Sequence, residues 1–202
     1  MNKAFSKRLL ALSMALLFVL GSLVGCGKQS KENMSRETDE PTNTYIPPVN
    51  EDGYIVVTLP IGSTEENSTF FWTSVAANED GSFKYTFTPE QFLKTKQASY
   101  MFGKLIDATT NTYIAEFIKS AEYADVDEDG IPWSLVVSVD RELYTGSELT
   151  NSFLVTANVS VYMRMYQTFC GVPDDEWAVH VTVKDADTGD IISEHDFPTR
   201  GE

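Results

Sequence analysis

The chain has 202 residues, of which 30 are acidic and 15 basic, so its formal net charge is −15. Hydrophobic residues make up 42% of the chain, which excludes a wholly disordered or fibrous protein. Two cysteines are too few for a disulfide-stabilised miniprotein, and the negative charge argues against nucleic acid or an anionic lipid surface as a partner.

The first 25 residues have the layout of a secretory signal peptide. Three basic residues precede an apolar stretch over 9–20, which is short for a stable membrane span. The basic residues are Lys3, Lys7 and Arg8. The segment ends in Leu23-Val24-Gly25-Cys26, in which a small residue directly precedes a cysteine.

This order resembles the lipobox signal of bacterial lipoproteins. The resemblance implies that Cys26 becomes the mature N-terminus and carries a diacylglyceryl group, commonly with a further acyl chain. Two or more acyl chains anchor a protein stably to a bilayer. The protein is then expected on the extracytoplasmic face of the cell membrane. The alternative is a secreted protein in which a cysteine happens to end the signal.

Residues 26–50 are predicted to be the lipidated cysteine followed by a disordered linker, because this stretch is polar and almost without large apolar groups. The remainder, 51–202, contains 9 basic and 26 acidic side chains, a net charge of 9 − 26 = −17. Its length suits a single globular domain, which would therefore carry nearly all of the acidity.

The first half of this domain shows two strand patterns and one helix start. Residues 54–59 are rich in β-branched residues, and 83–87 alternate between aromatic and polar side chains. Between them, 63–77 is open to either a helix or a strand. Thr88-Pro89-Glu90-Gln91 has the spacing of a helix N-terminus. The apolar stripe that follows continues to Ile118, with plausible breaks at Gly103 and at Thr109–Thr112.

In the second half, 135–139 is predicted to be a strand, and 151–169 fits strand alternation and helical spacing equally well. The closing segment is predicted to be a hairpin, in which Asp187-Thr188-Gly189 forms the turn and Ala186 pairs with Asp190. That register places Val179 opposite Phe197.

Short motifs across 51–202 resemble a group of small lipoproteins of Gram-positive bacteria. The matching residues are Val57-Thr58-Leu59-Pro60, Glu79-Asp80-Gly81-Ser82, Tyr166-Gln167 and Asp185-Ala186-Asp187-Thr188-Gly189. None of these motifs is catalytic. The resemblance implies a helix before the Tyr-Gln pair, and it therefore favours the helical interpretation of 147–170.

The strongest local metal-binding pattern is Asp125-Val126-Asp127-Glu128-Asp129-Gly130, which matches the first half of an EF-hand loop. Position twelve of that loop should be a glutamate and is Val136. Asp125, Asp127 and Asp129 are therefore only a weak candidate for calcium, and a solvated acidic turn is the favoured interpretation. No cofactor is predicted.

The two histidines are predicted to point to opposite faces of the hairpin, with His180 facing Asp196 and His195 facing Val181. Cys170 has no partner for an intrachain disulfide once Cys26 is lipidated, and a buried position near a helix end is favoured. Aromatic residues could stack on wall polysaccharide but more often fill a core. They include Phe70, Phe71, Trp72, Trp133 and Trp177.

The sequence therefore predicts a single α+β domain, an antiparallel sheet packed by two long helices, held outside the membrane by the lipid on Cys26. The leading hypothesis is a non-enzymatic binding or accessory module for a protein or cell-wall component. The alternative is an extracytoplasmic hydrolase that uses paired carboxylates on wall glycans. A deep cleft with two convergent carboxylates would favour the hydrolase, and a filled domain with a shallow apolar patch would favour the binding module.

Overall fold

Residues 41–60 and 71–198 are described by a computed structural model. The predicted signal peptide, Cys26 and the linker up to residue 40 lie outside the described residues, as does most of the ambiguous stretch that begins at 63. The described residues all fall in one compact unit of the chain. Among the described residues, no helix combines the length and the apolar character that crossing a membrane requires.

The described residues form nine strands and three helices. In chain order these are β1 (Ile55–Leu59), β2 (Ser74–Ala77), β3 (Phe83–Phe87), α1 (Pro89–Gly103), β4 (Ile106–Asp107), β5 (Thr112–Tyr113), β6 (Ile118–Val126), β7 (Pro132–Val139), α2 (Arg141–Thr145), α3 (Glu148–Phe169), β8 (Val179–Asp185) and β9 (Ile191–Phe197). The predicted α+β class is confirmed.

The smaller sheet is antiparallel, in the order β1-β3-β2. Alternate residues of β1 are buried and exposed, as expected for a strand with one face on the core. The strands predicted at 54–59 and 83–87 are therefore confirmed. The described part of the ambiguous stretch contains a strand at Ser74–Ala77.

Helix α1 begins at the predicted capping motif. The Thr88 hydroxyl accepts a hydrogen bond from Gln91 N at 3.2 Å, and Gln91 Oε1 accepts one from Thr88 N at 2.8 Å. The helix ends at Gly103, so the continuation of the apolar stripe to Ile118 is not helical. Leu105 has a positive φ of 58°, which ends the α-helical path.

The larger sheet has the order β6-β7-β8-β9. Its outer pairs, β6–β7 and β8–β9, are antiparallel, whereas the central pair β7–β8 is parallel. Parallel neighbours need a crossover connection, and here α2 and α3 supply it. The prediction of an antiparallel sheet thus holds for the β6–β7 and β8–β9 pairs of the larger sheet but not for the parallel β7–β8 pair.

Helix α3 covers the stretch whose pattern fits both strand and helix, and the helical interpretation of 147–170 is confirmed. Val155, Val159 and Met163 pack in the cluster that covers the larger sheet, whereas Met165 and Phe169 pack in the cluster on the smaller sheet. A helix that is buried on two faces carries apolar residues on each of them. In α3 these two sets of residues together produce the alternation of apolar and polar residues that resembles a strand.

The register predicted for the final hairpin is confirmed from Val179↔Phe197 to Val183↔Ser193. Gly189 has a φ of 78°, as the predicted turn requires. The pairing changes by one residue between Val183 and Lys184, so that Asp185 N, rather than Ala186 N, donates to Asp190 O at 2.9 Å. A bulge beside the turn accounts for this difference.

Candidate functional site

A groove of about 470 Å³ lies where three separate parts of the chain meet. One wall is the extended segment Thr42–Tyr45, here called the strap. A second wall is the acidic turn, residues 127–131, which connects β6 to β7. Cys170, directly after α3, also lines the groove. The structure therefore brings Asp127 and Asp129, two of the three aspartates predicted from the sequence, to the same groove as Cys170 and the strap.

Lys96, in the middle of α1, holds the strap on the domain. Its Nζ donates to Asn43 Oδ1 at 2.6 Å, to Tyr45 O at 2.9 Å and to Asn43 O at 3.3 Å. All three acceptors are neutral oxygens, and the lysine is only 3% exposed. Burial lowers the pKa of Lys96, because the charged form loses its water. The strap thus supplies the oxygens that replace this water.

The strap is attached at two further points. Asn43 Nδ2 donates to the carbonyl oxygen of Asp129 in the acidic turn at 2.8 Å. The Tyr45 ring lies over Gly171, where an added Cβ would be 3.2 Å from two ring carbons. Asn43 and Tyr45, which fall within the predicted linker 26–50, thus both contact the folded domain.

Asp127 organises the acidic turn. Its Oδ1 accepts hydrogen bonds from Asp129 N at 3.0 Å and from Ile131 N at 2.8 Å, and its Oδ2 accepts one from Trp133 Nε1 at 2.9 Å. Burial alone would raise the pKa of Asp127, but these donors outweigh it and the pKa is lowered. Both carboxylate oxygens are therefore engaged, Oδ1 by backbone amides of the turn and Oδ2 by the Trp133 indole of β7.

The three aspartates of the EF-hand-like pattern do not converge. Asp125 lies in β6 with a positive φ of 51° and does not line the groove, and Asp127 is committed to backbone and indole donors. Across residues 41–60 and 71–198, no three or more His, Cys, Asp or Glu side chains form a group that could hold a metal ion. The pattern serves as a hairpin turn, because its next segment is the strand β7.

Beneath the groove, the Cys170 thiol, the Lys96 ammonium and the Tyr166 hydroxyl are neighbours. Cys170 is 6% exposed, which agrees with the predicted buried cysteine at a helix end. Burial raises its pKa, and the Lys96 charge opposes that effect only in part. The Tyr166 hydroxyl lies beside the thiol but makes no hydrogen bond of good geometry with any group in the described part of the chain.

The histidines lie away from this groove. His180 Nδ1 is 2.7 Å from Asp196 Oδ1, and His180 Nε2 is 3.5 Å from Glu194 Oε1. His195 is opposite Val181, and its ring lies 6.5 Å from that of Phe197. The predicted separation of the two histidines is therefore confirmed.

The predicted aromatic residues are mainly part of the packing. Trp177 is 7% exposed, and the Arg164 guanidinium lies over its ring, with Arg164 Cζ 5.2 Å from the ring centroid. Trp72 contacts Tyr85 edge to face. Trp133 packs beside the buried cluster that contains Tyr166, and Phe71 is 46% exposed. Phe70 lies outside the described residues.

The residue that sequence reasoning missed is Lys96. A lysine on a helix is usually at the surface, but Lys96 follows Phe92 by four residues and precedes Ser99 by three, and both are fully buried. That spacing is the signal that could have placed it on the buried face. Its partners, 51 and 53 residues earlier in the chain, had no local signal.

The arrangement is suited to holding an extended chain segment rather than to acid–base chemistry. An ammonium group faces carbonyl oxygens, and burial raises the pKa of both the nearby Cys170 thiol and the Tyr166 phenol. Comparison of the chain with protein-family models, with curated proteins and with solved structures gives no match.

Proposed function

We propose that this protein is a lipid-anchored lipoprotein on the extracytoplasmic face of a bacterial membrane, and that its acidic domain is a non-enzymatic binding or accessory module. The proposal of a lipid anchor rests on one observation, namely that a basic start, an apolar stretch and Leu23-Val24-Gly25-Cys26 follow one another in this order. The partner would be a protein or a cell-wall component.

The strap limits how far the domain would reach from the membrane. Asn43 is bonded to Lys96, so only 43 − 26 = 17 residue steps separate the lipidated cysteine from the domain surface. Fully extended, they would span at most about 60 Å. The net charge of −17 on residues 51–202 would repel an anionic lipid surface.

The binding role is supported by Asp127 and Lys96, whose polar groups are already hydrogen-bonded within the domain. Asp127 accepts two hydrogen bonds from backbone amides of its own turn and one from the Trp133 indole of β7. A general acid or base must instead reach a proton on the substrate. Lys96 is likewise occupied by the strap.

The anchor is tested by comparing Cys26→Ala with Cys170→Ala in a Gram-positive host. We expect wild type and Cys170→Ala in the membrane fraction, with a diacylglyceryl mass on the N-terminal cysteine. Cys26→Ala should accumulate unprocessed or in the medium. Membrane retention of Cys26→Ala at the wild-type level, or an unmodified thiol at Cys26, would contradict the proposal.

The binding role is tested by crosslinking the lipidated protein on intact cells and identifying what is captured. We expect enrichment of one protein or glycan over a matched sample of Cys26→Ala. The hydrolase alternative predicts a different result, namely the release of reducing ends from purified wall glycan by the purified domain. That release, abolished by substitution of one carboxylate, would overturn the non-enzymatic role.

A further inference from the structure

The strap is attached to the domain mainly through polar contacts. It contributes no residue to the clusters of buried apolar side chains found among the described residues. Thr42, Thr44 and Tyr45 are exposed, and the segment belongs to no helix or strand. A segment with few apolar contacts and no ladder of backbone hydrogen bonds belongs to the least stable parts of a fold.

The strap nevertheless covers a chemically distinctive cluster. Lys96 and Cys170 are 3% and 6% exposed, and Tyr166 is fully buried, although all three lie at or beneath the groove that the strap lines. Tyr45 lies on Gly171, the residue next to Cys170. The Tyr166 hydroxyl has no hydrogen-bond partner among the described residues.

We propose that residues 42–45 are a releasable latch, which in leaving Lys96 opens the Lys96–Cys170–Tyr166 cluster to solvent while the rest of the domain stays folded. The strap directly continues the chain that precedes Thr42. A partner that binds that chain, or a force applied to it, therefore acts first on Thr42, which packs against Gly130, and on the contacts of Asn43. The proposal does not depend on lipidation of Cys26.

Asn43 is the residue whose substitution isolates the latch. Its side chain accepts from Lys96 Nζ at 2.6 Å and from Tyr45 N at 3.1 Å, and it donates to Asp129 O at 2.8 Å. Asn43→Ala removes all three bonds without altering a buried core residue. Thr44→Ala is the matched control, because Thr44 lies in the same strap and is exposed.

The readout is the rate at which Cys170 reacts with a small maleimide at neutral pH, quantified by mass spectrometry of the peptide that contains Cys170. The full chain is used, and the peptide assignment separates Cys170 from Cys26. We expect Asn43→Ala to react roughly tenfold to a hundredfold faster than wild type, from the loss of a hydrogen bond to a charged group. Thr44→Ala should react at nearly the wild-type rate.

Low concentrations of urea distinguish latch opening from global unfolding. Local opening exposes little surface, so the reaction rate of Cys170 should be almost independent of urea below the unfolding transition. Circular dichroism should show that Asn43→Ala remains folded under the same conditions. The proposal is overturned if Asn43→Ala reacts at the wild-type rate, or if the wild-type rate rises with urea as steeply as global unfolding does.

Discussion

The side chain of Gln167 pairs with the backbone of Ala178 in both directions. Gln167 Oε1 accepts from Ala178 N at 3.1 Å, and Gln167 Nε2 donates to Ala178 O at 2.8 Å. The same Nε2 donates to Pro132 O at 2.8 Å. A fully buried side-chain amide thus connects the residue before β8 to the first residue of β7, just before the first ladder pair, Ser134↔His180.

Replacing Gln167 should therefore be costly. Gln167→Leu removes three hydrogen bonds and leaves backbone groups of Ala178 and Pro132 without partners. We expect the free energy of unfolding to fall by about 2–4 kcal/mol, measured by urea denaturation. Gln97→Leu, on the exposed face of α1, is the control and should change it by less than about 0.5 kcal/mol. Equal effects of the two substitutions would contradict the bridging role.

Gly171 and Gly189 allow the contact with Tyr45 to be measured separately from backbone strain. Both have positive φ, 91° and 78°, so an alanine at either position is strained by about 1–2 kcal/mol. Only at Gly171 would the new Cβ also press on Tyr45; at Gly189 nothing lies within 4 Å. We expect Gly171→Ala to lower the free energy of unfolding more than Gly189→Ala, and to accelerate labelling of Cys170. Identical behaviour would show that Tyr45 does not hold the strap.

Three tyrosines whose hydroxyls are buried should make the fold sensitive to alkali. Burial raises the pKa of Tyr123, Tyr162 and Tyr166, that of Tyr162 to about 12. Above pH of about 10 the unfolded chain loses phenolic protons that the folded chain keeps, so stability should fall as pH rises further. Lys96 has the opposite effect, because its pKa is lowered in the folded protein. Its contribution to stability increases as pH rises towards its usual pKa of 10.5 and does not change above that value.

Ultraviolet absorbance near 295 nm measures this directly. The folded protein should show phenol ionisation delayed to higher pH than the same protein in urea, and Tyr162→Phe should reduce the difference. Tyrosines that ionise together near pH 10 in both states would contradict the burial of these hydroxyls.

His180 should titrate as a histidine stabilised in its charged form. The hydrogen bond to Asp196, and then the charge of Glu194, raise its pKa above 6.5. The interactions of charged His180 therefore stabilise the folded protein fully below a pH of about 6.5. This stabilisation is lost as pH rises through the pKa that His180 has in the folded state. NMR titration of His180 should show a lowered pKa in Asp196→Asn and a smaller decrease in Glu194→Gln. The reverse order would contradict the dominance of the Asp196 bond.

Local chemistry explains the features that the sequence predicted well. The start of α1 depends on Thr88 and Gln91, three residues apart, and the β8–β9 register depends on a turn that ends at Gly189. Each interaction joins residues close in sequence, so the residue types themselves show it. The one-residue shift near Lys184 was not predictable, because a bulge leaves the residue pattern almost unchanged.

By itself, the sequence determined the α+β class, the start of α1 and the pairing of the last two strands, because capping and turn residues act over three to five positions. Only the tertiary structure decided that β7 and β8 run parallel, that Lys96 is buried, and that the strap forms one wall of the groove. These features join residues tens of positions apart. Their stability comes from burial and from replacing lost water with specific oxygens, which no short segment encodes.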